Sequence, residues 1–191
     1  MNIDTEKIIL FLREVDKFKF MEREIYNSDG RKETNTDHSW HLAMFMLLLE
    51  KQVKDRIDIL KAFKMILIHD LIEIYAGDTF AFDTSKLKKT KEKRELKAAE
   101  KLFKQLPKEI GEELFDLWKE YETAKTKTAK FVKALDRIQA MNQNVMTKAR
   151  IYKEHKIPYN LVKDYKKEYT QSDKLLKEIS SELLKELKPY F

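Results

Sequence analysis

The stretch Met65-Ile66-Leu67-Ile68-His69-Asp70-Leu71-Ile72-Glu73-Ile74 sets one histidine and two acids inside an otherwise apolar run. Ionisable side chains are costly to bury unless they are paired or bound to a metal ion. If the stretch is helical, His69 and Glu73 lie four residues apart on one face, with Asp70 beside them. Two interpretations stay open at this point: a core histidine neutralised by a neighbouring acid, or a functional site.

The helix around this stretch is predicted to begin at Asp55 or Asp58 and to run to about Ala76, before Gly77. Apolar residues would cover most of its circumference, which is typical of a buried helix. One stripe comprises Leu60, Phe63, Leu67, Leu71 and Ile74, and a neighbouring stripe comprises Ala62, Ile66, His69, Asp70 and Glu73. Asp78 follows the glycine, so it would lie near the same helix end as Glu73.

The composition favours a single all-α domain spanning residues 1–191. The chain has only three glycines and three prolines, and Leu, Lys, Glu, Ile, Met and Ala dominate. No repeat or linker divides it, so we expect one bundle of about six to eight helices. The absence of cysteine excludes disulfides and thiolate metal sites. Without a long apolar run or a signal-peptide pattern, we expect a cytoplasmic protein that does not enter a membrane.

Helical periodicity also divides the N-terminal part of the chain into two helices joined by a loop. The first helix is expected to begin after Asp4 and to end near Met21, and the polar stretch up to Thr36 is expected to be a loop. Thr36 or Asp37 is predicted to cap the next helix, which would carry His38 in its first turn. A histidine in that position can point over the helix end toward a pocket.

A charged helix is predicted from a cap at Thr84 or Ser85 to about Leu106, with its first half projecting into solvent. Its start, Lys86 to Arg94, is the densest basic cluster in a chain of net charge +6. Such a cluster could bind nucleic acid. Because it lacks interleaved aromatic residues, a solvated helix start is the more common interpretation.

A later helix is predicted from Thr126 or Thr128 to about Tyr152, and it carries Asp136 within its apolar sequence. Considered alone, this acid most simply forms an ordinary pair within the helix, for instance with Arg137. It is nevertheless the second candidate for a buried charge in the chain.

The candidate site residues together indicate a metal centre; they are His38, His69, Asp70, Glu73, Asp78 and Asp136. Histidines and carboxylates without cysteine suit one divalent ion of the Mn, Co, Fe, Ni or Zn type, while Mg is possible but prefers oxygen ligands. Four protein ligands on an octahedral ion leave two positions open for water and a phosphate oxygen, as hydrolysis requires.

The same residues occur in an order that resembles the HD-domain metal-dependent phosphohydrolases, and in particular their 5′-deoxynucleotidase-like branch. The resemblance extends from about Leu12 to Tyr152, and four segments in this order are more specific than a His-Asp dipeptide alone. The segments are Thr36-Asp37-His38-Ser39-Trp40-His41, Ile68-His69-Asp70-Leu71-Ile72-Glu73, Ala76-Gly77-Asp78-Thr79 and Lys133-Ala134-Leu135-Asp136-Arg137.

The resemblance implies a role for each candidate. Glu73 would be the catalytic carboxylate that orients or deprotonates the attacking water, and Asp78 a site acid near that water or the sugar hydroxyl. His41 would be a packing partner of the site rather than a ligand. The four implied metal ligands are His38, His69, Asp70 and Asp136.

The substrate side departs from the family pattern. Arg23 falls where the family places a basic residue close to the substrate. A few residues earlier, the deoxynucleotidases of this branch carry an Arg-Trp pair, where this chain has Phe18-Lys19 followed by Phe20. Lys19 and Arg23 are therefore both candidates for the phosphate contact.

The implied activity is that of a hydrolase acting on nucleoside (deoxy)5′-monophosphates or similar small phosphate esters. The alternatives are a nucleoside-triphosphate hydrolase or phosphodiesterase of the same superfamily, and a non-catalytic helical protein that binds nucleic acid. A binuclear diesterase would need further histidines, and only His41 and His155 remain. The resemblance also suggests a homodimer, in which the helices of residues 158–188 either cover the core or supply the contact.

Overall fold

The protein is helical, as the sequence predicts, and the computed structural model describes residues 3–53, 55–83 and 86–191. An antiparallel hairpin joins β1 (Glu22–Tyr26) to β2 (Lys32–Thr34), and short 3-10 helices span Asp16–Phe20 and Lys188–Tyr190. The α-helices are α1 Ile3–Val15, α2 Asn35–Leu49, α3 Ile59–Ile68, α4 Glu73–Ala76, α5 Lys86–Phe103, α6 Lys108–Thr123, α7 Lys127–Met146, α8 Arg150–Glu154, α9 Tyr159–Thr170 and α10 Lys174–Leu187.

The predicted helix around the His-Asp pair is broken at that pair. Helix α3 ends at Ile68, and residues 69–72 continue as tight turns in which an amide donates three residues back, as from Leu71 N–H to Ile68 O (3.1 Å). The bend brings two consecutive side chains together, with His69 Nε2 3.1 Å from Asp70 Oδ2. A second predicted helix is likewise divided into α7 and α8, so the helices outnumber the six to eight expected.

Only one of the two predicted stripes on α3 is buried. Ala62 and Ile66 are fully buried, whereas Leu60 and Leu67 are 68% and 60% exposed. Helix α3 packs against α2, α6 and α7 on one side and leaves the other side open. The expectation of a helix buried all round was therefore wrong, and the buried stripe is the one that continues to His69.

The stretch before α2 is a hairpin and not the loop that its polar sequence suggested. Its second strand leads directly into α2, whose N-cap is Thr34 instead of Thr36 or Asp37. The Thr34 side chain accepts from the Asp37 amide, while the Asp37 carboxylate accepts from the Thr34 amide, which forms a capping box. The helix consequently begins two or three residues earlier than predicted, and His38 lies at the end of its first turn.

The first half of α5 was expected to project into solvent, but one side of it packs against the rest of the protein. Helix α5 packs against α4 and α6. The Arg94 guanidinium donates to the backbone oxygen of Ala76 and to Thr79 Oγ1 (2.7 Å for the latter). One face of the basic cluster is thus used to hold the segment after α4. The predicted caps Thr84 and Ser85 lie outside the described residues.

Helix α7 is the central element of the fold. It packs against α2, α3, α6, α9 and α10, so the two C-terminal helices cover it. It begins as predicted, with the Thr126 hydroxyl accepting from the Ala129 amide (3.2 Å). Among the described residues, no helix combines the length and the apolar character that crossing a membrane requires.

Candidate metal centre

Two histidines and one aspartate meet where α2, the end of α3 and α7 pack together. One ligand atom from each of His38, His69 and Asp136 lies within 4.8 Å of the other two. His38 Nε2 is 3.4 Å from Asp136 Oδ1, and the centroids of the two imidazole rings are 5.4 Å apart. Both histidines are buried, with 0% and 3% exposure. Three distant parts of the chain therefore contribute to one cluster.

The second nitrogen of each histidine is held away from the cluster. His38 Nδ1 lies 2.8 Å from Gln139 Oε1, and His69 Nδ1 lies 2.9 Å from the backbone oxygen of Ile66. Because both oxygens only accept, Nδ1 carries the proton in the neutral form of each imidazole, and Nε2 then keeps its lone pair. Neither Nε2 has a hydrogen-bond partner, although both are buried. Two such lone pairs beside a carboxylate fit a divalent metal ion.

A buried polar network behind the cluster fixes this geometry. Gln139 Nε2 donates to Glu33 Oε1 (2.7 Å), which leaves the amide oxygen of Gln139 to face His38. Glu33 is 1% exposed, and its other oxygen lies 3.4 Å from Arg23 Nε. Neither Gln139 nor Glu33 was predicted from the sequence as a site residue. The sequence could have indicated Gln139, because it is a polar residue three positions after Asp136 in the apolar sequence of α7.

Asp70 adjoins the cluster but also binds an arginine. Its Oδ2 lies 3.1 Å from His69 Nε2 and 4.0 Å from His38 Nε2, and it accepts a hydrogen bond from Arg23 Nη1. Burial acts to raise the pKa of Asp70, but the neighbouring His69 and Arg23 hold that pKa well below its usual range. The carboxylate is therefore ionised at neutral pH and can serve as an oxygen ligand.

The two further predicted acids line the cavity beside the cluster. Glu73 is 6% exposed, and its Oε2 accepts from Asn35 Nδ2 (2.8 Å); Asp78 accepts from the amide of Glu24 (3.3 Å). Burial raises the pKa of Glu73 well above its ordinary value, and the charges of Asp70 and Asp78 add to the effect. Burial raises the pKa of Asp78 as well. A carboxylate with a raised pKa is a better proton acceptor.

Of the two residues expected to contact the phosphate, only one lines the cavity. Arg23 lines the cavity, but its guanidinium is engaged by Asp70 and by Glu33. The Lys19 side chain is 63% exposed, is paired with Asp16, and is not among the residues that line the cavity. The 3-10 helix around Lys19 buries Phe18 and turns the lysine outward, so the structure does not bring Lys19 to the cavity.

The remaining histidines lie outside the three-residue cluster. His41 is half-buried, with Nδ1 3.4 Å from Gln139 Nε2 and its ring 5.1 Å from that of Phe45. His155 is on the surface, 3.6 Å from a carboxylate oxygen of Glu24. His41 therefore packs beside the cluster, as expected, and His155 lies apart from it.

Comparison with known proteins gives matches over most of the chain. Residues 15–179 match the family model of the HD domain. The 5′-deoxynucleotidase HDDC2 of Homo sapiens is 32% identical over 138 residues, which are 71% of this chain and 66% of that protein. The protein of the same name from Dictyostelium discoideum is 34% identical over 143 residues, which are 70% of this chain and 73% of that protein. The matched part thus spans about two thirds of the human relative.

A solved structure is similar over nearly the whole length. The crystal structure of a predicted metal-dependent phosphohydrolase from Magnetospirillum magnetotacticum MS-1 has a TM-score of 0.89 and 34% sequence identity to this chain. The match covers 98% of this chain and 96% of that one. The similarity therefore includes the C-terminal helices as well as the segments that carry the cluster.

Proposed function

The chain belongs to the HD-domain family, and on this premise we propose that it is a metal-dependent phosphomonoesterase that hydrolyses nucleoside 5′-monophosphates, deoxynucleotides among them. One observation carries the proposal: two buried histidines present unpartnered Nε2 atoms beside Asp136, next to a cavity that Glu73 and Asp78 line. The names of the relatives and of the solved structure support the same chemistry.

In this proposal a single divalent ion is held by His38, His69, Asp70 and Asp136. Two nitrogen and two oxygen donors suit an ion of the Mn, Co, Fe, Ni or Zn type, and Mg is the less suited possibility. When bound, such an ion stabilises negative charge on a phosphate and acidifies water. The outer contacts of Gln139 and the backbone of α3 keep both imidazoles in the tautomer that such binding needs.

Glu73 is the proposed catalytic carboxylate. The amide of Asn35 holds one of its oxygens, and the raised pKa of Glu73 favours proton transfer from water. Asp78, which accepts from the Glu24 backbone, lies where it can contact the same water or a sugar hydroxyl. The chain's own residues thus supply the proton acceptor and hold it in place.

The alternative activities have less support. A second ion bound by histidines would need His41 or His155, and neither belongs to the cluster in the described part of the chain. The nucleic-acid alternative relied on the basic start of α5, where Arg94 and Lys88 instead hydrogen-bond to the protein's own residues 76–81. A triphosphate substrate is best tested directly.

A phosphate-release assay tests the proposed activity. We expect turnover of deoxyribonucleoside 5′-monophosphates with Mn²⁺ or Co²⁺, and no turnover after chelation. Nucleoside 3′-monophosphates, triphosphates and cyclic diesters serve as comparison substrates and should react at least tenfold more slowly, since a site built for one 5′-phosphate group gives about that discrimination. Equal or faster turnover of triphosphates or diesters would contradict the proposal.

We also propose that the protein is a homodimer joined through α2. Four large apolar side chains lie at i, i+4, i+7 and i+8 on this helix, so they form one exposed stripe. Trp40 is 68% exposed, Met44 36%, Leu47 54% and Leu48 65%. The C-terminal helices, which were the earlier candidates for the contact, pack against α7 instead.

Light scattering should therefore give about twice the chain mass of 22.9 kDa. Leu47→Glu should produce a monomer, because a charge within an apolar contact is costly to bury. Leu161→Glu, at an exposed leucine of α9, should remain dimeric. A wild-type mass equal to a single chain would rule out the dimer.

A further inference from the structure

Basic side chains from three helices line the same cavity as the metal cluster. Several of them already have partners: Lys91 lies 3.4 Å from Glu95, Lys133 lies 3.1 Å from Glu122, and Lys88 donates to Ala81 O at 2.7 Å. The two others are Arg137 of α7 and Lys166 of α9. These two differ from the rest, because the folded chain leaves much of their hydrogen-bonding capacity unused.

Lys166 is a buried lysine that has no ion-pair partner among the described residues. It is 4% exposed, and none of the described carboxylates lies within ion-pair distance of its ammonium group. Burial lowers the pKa of Lys166 to about 7, the charge of Arg137 acts in the same direction, and Asp136 opposes both. A buried, unpaired charge is costly for the folded protein. The cost would be offset if an anion entered the cavity.

Arg137 presents a second unused donor at the same place. It directly follows Asp136 in α7, and its guanidinium packs 3.7 Å from the ring centroid of Tyr165. Its Nη2 reaches Glu168 only at 3.8 Å, and its Nε is buried without a hydrogen-bond partner. Two cations that repel each other in one cavity, one of them with an unpartnered buried N–H group, provide the donors that an anion would need.

We propose that Lys166 and Arg137 form the subsite that binds the phosphate group of the substrate. Both line the same cavity as Asp70 and Asp136 of the metal cluster. The residues first considered for this role do not supply it, since Lys19 lies outside the cavity and Arg23 is neutralised by Asp70. The identity of the anion as a phosphate rests on the proposed function.

Calorimetric titration of the metal-loaded protein with inorganic phosphate tests the subsite. Lys166→Met keeps the apolar stem and removes the charge. We expect phosphate affinity to fall about 10- to 100-fold, as for a lost charge-assisted hydrogen bond. Lys166→Arg should retain most of the affinity. Lys167→Met, which removes the same charge from an exposed position of α9, should bind phosphate like the wild type.

Thermal unfolding separates binding from a structural role. Because Lys166→Met removes an unpaired buried charge, its melting temperature should equal or exceed that of the wild type. The proposal is overturned if Lys166→Met binds phosphate as tightly as the wild type, or if the metal-loaded wild type binds no phosphate. Calorimetry needs no turnover, so a protein inactive on nucleotides can still support the subsite. An active nucleotidase with unchanged phosphate binding in Lys166→Met would refute the subsite alone.

Discussion

Replacing Glu73 with glutamine is expected to lower kcat on nucleoside 5′-monophosphates by about a thousandfold, within the range of a lost general base. Glutamine has nearly the same size and can keep a hydrogen bond to Asn35, but it cannot accept a proton from water. Metal content should stay at one ion per chain, because the side chain is not a proposed ligand. Steady-state kinetics and elemental analysis of the same preparation give both values.

A matched substitution on the hairpin controls for the loss of negative charge. Glu22 is exposed on β1 and does not line the cavity, so Glu22→Gln should keep kcat within about twofold, as is usual for surface substitutions. If Glu73→Gln turned over substrate at the wild-type rate, the carboxylate would not be the proton acceptor.

Replacing His69 with alanine is expected to abolish both metal binding and turnover. The substitution removes one of two nitrogen donors from a buried cluster that has no spare histidine among the described residues. Gln139→Leu should have a smaller effect, a loss of metal affinity of about 10- to 100-fold, because the residue only orients His38. Metal titration followed by dialysis and elemental analysis measures both changes.

His155→Ala provides the control for this pair of variants, because it removes an imidazole from the surface. It should bind metal and turn over substrate like the wild type. Retention of stoichiometric metal by His69→Ala after dialysis would show that the ion is held elsewhere.

The sequence was sufficient to predict where the cluster residues would meet. His69 follows an apolar helical sequence that indicates a buried face, whereas His38 and Asp136 were placed in the site by the family resemblance of the four segments. The order of the segments then changed the interpretation of Asp136, whose local sequence favoured an ordinary ion pair. The structure places its carboxylate 3.4 Å from a histidine instead.

The features that the sequence did not predict depend on contacts between distant residues. Nothing in residues 69–72 is a glycine or proline, so the break after α3 carries no local signal. The hairpin is short and charged, and part of its support comes from α7, where Gln143 Nε2 donates to the backbone oxygen of Tyr26 (2.9 Å). Tertiary contacts of this kind override local propensity.

The same limit applies to the phosphate contact. The chain has 39 lysines and arginines, and local sequence does not distinguish a buried lysine from an exposed one on an amphipathic helix. Lys19 was a candidate for the phosphate contact because of its place in the family pattern, yet its side chain points to solvent. The lysine-rich sequence of α9 does not distinguish Lys166 from its neighbours, because packing against α7 determines which lysine enters the cavity.

The proposal that this cluster binds a metal ion can be tested by anomalous diffraction. The crystals are grown with Mn²⁺ or Co²⁺, and the data are recorded at the absorption edge of the metal. We expect one strong peak per chain, about 2.0–2.2 Å from His38 Nε2, His69 Nε2 and a carboxylate oxygen of Asp136. Asp70 should supply the fourth protein ligand. If a crystal is active on nucleotides but has no peak at this cluster, or has its peak elsewhere, the cluster does not hold the ion that the reaction needs.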